Sequence, residues 1–62
     1  MRTYKYGVYR DGRKINNAPI FNSDNLIEAV DAAIFHHHLR KHRHWKVMKT
    51  GTPEVIYRTK DL

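Results

Sequence analysis

The sequence has no cysteine. That excludes a disulfide framework and any thiolate metal site. A secreted domain of this size would ordinarily need such staples, so a reducing cytoplasm is the expected home. No apolar run approaches the roughly 20 residues of a membrane-spanning helix, and no membrane partner is expected. The opening stretch, MRTYKYGVYR, lacks the apolar core of a secretory signal. Glycine is scarce: Gly7, Gly12 and Gly51 are scattered through a strand pattern and two turns, so no glycine-rich phosphate loop exists. Serine occurs once, at Ser23. Acidic residues are outnumbered, 6 Asp and Glu against 12 Lys and Arg, for a net charge of +6. On 62 residues that excess favours a polyanionic partner.

What is present predicts one small α+β domain over residues 1–62. TYKYGVYR alternates and is rich in Tyr and Val, a strand signature. Asp11-Gly12 follows, and the pair suits a type I′ hairpin in which Val8 faces Ile15. The second strand then meets Pro19, which marks it as an edge strand or ends it early. FNSDNLIEAVDAAIFHHHL reads as a helix, capped by Asn22 or Ser23, with Phe21 and Leu26 as a hydrophobic staple. Leu26, Ile27, Val30, Ala33, Ile34 and His37 form its apolar stripe. HWKVMK and EVIYRT give two more strands around the turn TGTP.

The order ββαββ predicts a four-stranded antiparallel sheet with one helix packed on one face. The inner layer is Tyr4, Tyr6, Val8, Ile15, Trp45, Val47, Val55 and Tyr57; Val55 and Tyr57 are chosen because the alternative buries Arg58. The outer face carries Lys5, Tyr9, Lys14, His44, Lys46, Met48 and Arg58.

All five histidines lie in FHHHLRKHRHWK. Three consecutive helical residues point about 100° apart, so His36, His37 and His38 do not close on one ion. His38 and His42 have chelating spacing only if the helix runs past Leu39, and no Asp or Glu completes a site. No metal and no cofactor is expected. A histidine base also needs a nucleophile and an orienting carboxylate. Ser23 lies at the far end of the helix, about 20 Å from His38 at 1.5 Å rise per residue. No catalytic residue is assigned. His37, centred on the apolar stripe, is expected to bond a backbone carbonyl or a tyrosine at the edge of the core.

The same segment packs Arg40, Lys41, His42, Arg43, His44 and Lys46 into seven positions. Cations and hydrogen-bond donors with loose geometry suit phosphates. With Lys5, Tyr9, Lys14 and Arg58 of the outer face they form the candidate surface for nucleic acid, DNA or RNA. Tyr9 and an exposed histidine supply rings on which unpaired bases can stack. A second candidate is Ala32, Phe35 and Leu39, an apolar strip turned away from the stripe. It suits a groove on an acidic or nucleic-acid-binding host protein, or a homodimer seam. In size and element order alone the chain resembles short stand-alone proteins of phages and mobile elements. That resemblance implies a protein that acts by binding; an inhibitor or adaptor docking through Phe35 and Leu39 is the alternative expectation to nucleic-acid binding.

Overall fold

Alternation in the first strand pattern produces β1, Tyr6–Arg10. The computed structural model describes residues 3–12 and 18–62. Its other elements are β2 (Phe21–Ser23), α1 (Leu26–Leu39), β3 (Trp45–Lys49), β4 (Val55–Arg58) and a closing 3-10 turn, Thr59–Asp61. The sheet order is β2-β1-β3-β4, antiparallel throughout. The helix packs on one face, which makes the fold the expected ββαββ arrangement.

One row of side chains crosses all four strands: Phe21 faces Val8, Val8 faces Val47, and Val47 faces Tyr57. Val8 and Val47 are fully buried, and Trp45 nearly so. Tyr6, Phe21 and Tyr57 pack around them. Tyr4 is half-buried on the approach to β1. Opposite this layer, α1 brings down Ala29 and Ala33, both fully buried, flanked by Leu26, Val30 and Ala32. Two alanines one turn apart let the helix axis approach the sheet closely.

Several expectations change here. Val8 is flanked by Phe21 and Val47, so neither side of it is left for Ile15. Arg13, Lys14 and Ile15 themselves lie outside the described residues. Asp11-Gly12 makes no type I′ turn: among the described residues only Gly51 has a positive φ, 81°. Asp11 instead donates its N–H to the His44 carbonyl at 2.9 Å and prolongs the ladder with β3. The strand expected after Asp11-Gly12 falls on residues 13–17, outside the described residues, and the edge position next to β1 is taken instead by Phe21–Ser23, residues expected to open the helix.

The helix therefore starts later. Asn25, not Asn22 or Ser23, is its cap, and the Asn25 side chain accepts from the N–H groups of Ile27 at 2.9 Å and Glu28 at 3.3 Å. Ser23 Oγ accepts from the Asn25 N–H at 3.0 Å, and the Asp24 carboxylate accepts from the Lys5 N–H at 2.9 Å. Phase shifts as well. Ile27, expected in the stripe, is 72% exposed, while Ala29 is buried.

At the other end of the molecule the chain leaves β4 and turns back under β3. The Trp45 N–H donates to Thr59 Oγ1 at 2.8 Å, and the Thr59 hydroxyl lies 3.3 Å from the Trp45 carbonyl, to which it donates. The β3–β4 turn follows TGTP as expected, with Gly51 left-handed and Thr52 bonded to Lys49. An irregularity beside Val47 and Met48 places Val55 opposite Met48 and leaves Ile56 as the extra residue.

Candidate functional site

Helix direction and strand register together decide where the charges fall. The helix starts beside Ser23, which faces Tyr6 at the beginning of β1. It ends where residues 40–44 lead into β3, and Trp45 there faces Arg10 at the end of β1. Arg40 caps the helix with its N–H bonded to the His36 carbonyl at 3.2 Å, and the Arg43 N–H closes a turn onto the Arg40 carbonyl at 3.0 Å. Arg40, Lys41 and His42 are exposed, and Arg43 is half-buried. Lys46 and Arg58 face each other across β3 and β4 at this same end, and Lys60 follows in the closing turn. Asp24 and Glu28 lie at the opposite end, beside the helix start, and Glu54 lies there too, in the β3–β4 turn. Cations thus outnumber acids at this end, which also holds Asp11 and Asp61, whereas the three acids of the opposite end share it with Lys5 and Lys49.

Lys5 falls outside this group. It precedes β1, about 17 Å along the strand from Arg10 at roughly 3.4 Å per residue. It borders a shallow cleft with Thr3, Tyr4, Tyr6, Lys49 and Thr50. The surface expected to combine Lys5 with Arg40–Lys46 is therefore divided between the two ends. Lys14 lies outside the described residues.

Tyr9, Lys46 and Arg58 form one row on the outer sheet face, as the alternation predicts. Arg58 Nη1 stands 3.9 Å from the Asp11 carboxylate, a long pair that offsets part of its charge. His44 is the exception. Expected on the outer face, its ring instead stacks on His37 of the helix, centroids 5.4 Å apart and planes 22° apart. Residue 44 lies before β3 begins, so strand alternation does not fix its direction. Its Nδ1 is buried with no hydrogen-bond partner among the described residues.

The three consecutive histidines go to three environments. His36 lies against Trp45, ring centroids 5.5 Å apart. His37 Nδ1 is 3.1 Å from the Arg43 carbonyl, the kind of core-edge bond expected of it. His38 is exposed. Among the described residues no three His, Asp or Glu side chains gather closely enough to hold a metal ion. Ser23 is buried in β2, its hydroxyl committed to the Asn25 N–H.

Of the apolar strip, Phe35 and Leu39 are exposed, at 60% and 62%. Ala32 is not part of it. It packs against the core, because burial of Ala29 and Ala33 rotates the helix toward that side.

The outer face also holds residues that the sequence did not single out. Gly7 lies between Asn22 and Met48 in the register, one row from Tyr9. The Tyr9 ring folds back over it: a Cβ added at Gly7 would stand 2.8 Å from Tyr9 Cε1 and 3.3 Å from Asn22 Oδ1. A lone glycine inside an alternating strand was the available signal for such a close approach. Among the described residues no helix of this chain is long and apolar enough to cross a membrane. Comparison with protein-family models, with curated proteins and with solved structures finds no match.

Proposed function

We propose that this is a non-catalytic binding protein that holds nucleic acid through the phosphates, using the basic end of the molecule. Arg40, Lys41 and His42 are exposed, and Arg43, Lys46 and Arg58 continue the surface onto the sheet. The observation that carries this reading is the gathering of these cations at one end while Asp24, Glu28 and Glu54 lie at the other. A field of one sign over one end steers a polyanion and orients it. A chain without cysteine suits a reducing cytoplasm, where such a partner is met. The test is fluorescence anisotropy with labelled oligonucleotides at rising salt. Affinity should fall steeply between about 50 and 200 mM salt. No binding at about 50 mM salt, or affinity that is flat across that range, refutes the proposal.

A second reading has one observation in its favour, the exposure of Phe35 and Leu39 on the outward side of α1. Large apolar side chains there suit an inhibitor or adaptor of phage type that docks on an acidic or nucleic-acid-binding host protein. A pull-down after nuclease treatment separates the two readings. One retained protein, lost on Phe35→Asp but not on Arg40→Ala, supports docking; loss of all bound material after nuclease supports the first.

A further inference from the structure

We infer that the open sheet face takes an unpaired base on Tyr9, so that the nucleic acid this protein holds is single-stranded. The inference rests on the phosphate-binding role proposed above and adds the kind of strand. Its basis is the contact between Tyr9 and Gly7. The Tyr9 side chain folds back over residue 7 because that residue has no side chain: a Cβ there would stand 2.8 Å from Tyr9 Cε1 and 3.2 Å from its hydroxyl. Tyr9 remains half-buried rather than closed in. The helix packs on the other side of the sheet, so no helix of the described chain covers this ring.

The neighbours match what a stacked nucleotide needs. Lys46 stands directly across from Tyr9, and Arg58 directly across from Lys46, so cations follow the ring in one row leading to the basic end. Phosphates of a strand whose base lies on Tyr9 would run over that row. Asn22 Oδ1 lies beside the same glycine, 3.3 Å from where its Cβ would stand, and adds a polar group to this face. Met48, half-buried on the same face, extends the apolar floor. A duplex keeps its bases inside the helix and cannot use the ring, whereas single strands stack on aromatic platforms whatever their sequence.

The experiment compares labelled oligo-dT and oligo-U of about 12 nucleotides with a DNA duplex of the same length, at about 50 mM salt. Both single strands should bind more tightly than the duplex. Tyr9→Ala should weaken single-strand binding by about 5- to 150-fold, the range for one stacked base, and leave duplex binding unchanged. Tyr9→Phe keeps the ring and should stay near the parent. Gly7→Ala is the sharper variant: it removes no functional group but drives a methyl into the Tyr9 ring. It should reproduce the Tyr9→Ala loss. Circular-dichroism melts confirm folding, and if Gly7→Ala unfolds, the Tyr9→Ala and Tyr9→Phe pair carries the test. Equal affinity for single strand and duplex, or a Tyr9→Ala loss no larger for one than for the other, overturns the inference while phosphate binding stands. Binding of neither overturns both.

Discussion

Thr59→Val tests the arrangement that fixes the basic end. Thr59 is 1% exposed, and its hydroxyl joins the Trp45 N–H at 2.8 Å to the Trp45 carbonyl at 3.3 Å. Valine keeps the branched shape but removes both bonds. The Trp45 N–H is then a buried donor without an acceptor, which costs about 1–3 kcal/mol. A domain of this size is stable by only about 3–9 kcal/mol, at roughly 0.05–0.15 kcal/mol per residue. Each kcal/mol moves the melting temperature of so small a domain by about 4–8 °C. Thermal unfolding followed by circular dichroism should therefore show a fall of roughly 5–20 °C. Thr59→Ser retains the hydroxyl and should lose less than half as much. Hydrogen exchange at the Trp45 amide gives a local readout and should quicken in the valine variant alone. If the valine variant melts with the parent, or the serine variant melts as low as the valine variant, the hydroxyl bridge is not what holds the start of β3 under the basic segment.

Helix phase can be checked by a contrasting pair. Ala33→Leu forces three extra carbons into a fully buried helix–sheet contact and should lower the urea midpoint by an amount worth about 1–3 kcal/mol. Ile27→Gln should change it by less than about 0.5 kcal/mol, and a large loss there would mean that Ile27 is inside after all. Gly51→Ala places a side chain at φ 81° and should cost about 1–2 kcal/mol in the same assay. The uneven distribution of charge predicts unequal double variants. Arg40→Ala with Lys41→Ala should reduce the slope of log affinity against log salt by about 1.4–1.8, while Lys5→Ala with Lys49→Ala should leave it nearly unchanged.

Much of this fold was legible because its signals are local. Alternation placed Val8, Trp45, Val47 and Tyr57 inside and Tyr9, Lys46 and Arg58 outside, and helical angle placed His37 at the core edge. What was not legible depended on distant partners. The run Asn22-Ser23-Asp24-Asn25 offers a cap residue at every position, and composition does not choose among them. The choice is made by β1, whose free edge takes Phe21–Ser23 as a strand and leaves Asn25 to start the helix. Hydrophobicity ranks Ile27 above Ala29, yet the distance of helix from sheet rewards the smaller side chain. Asp11-Gly12 suits a tight hairpin, but the His44 carbonyl was available to extend the ladder. The candidate surface suffered for a similar reason. Its cations were grouped by sequence and face, whereas their position along the strands separates Lys5 from the rest.

The cations at the helix end have a simple alternative account. Positive charge near the last turn stabilises the helix dipole, and acidic residues near the first turn do the same, so polarity would follow from helix stability alone. Glu28 in the first turn and Arg40 at the cap fit that account. It does not extend to the sheet. The dipole effect fades within the last turn. Lys46 and Arg58 project from the face of the sheet opposite the helix, with Tyr9 beside them, and gain little from the helix end. Nor does the pair with Asp11 explain them, since at 3.9 Å it engages Arg58 loosely and leaves Lys46 aside. Placing two like charges directly opposite each other on adjacent strands is itself unfavourable. A cost borne on an open face, next to an aromatic side chain folded over a glycine, is what a surface for a polyanion would require and what helix capping would not.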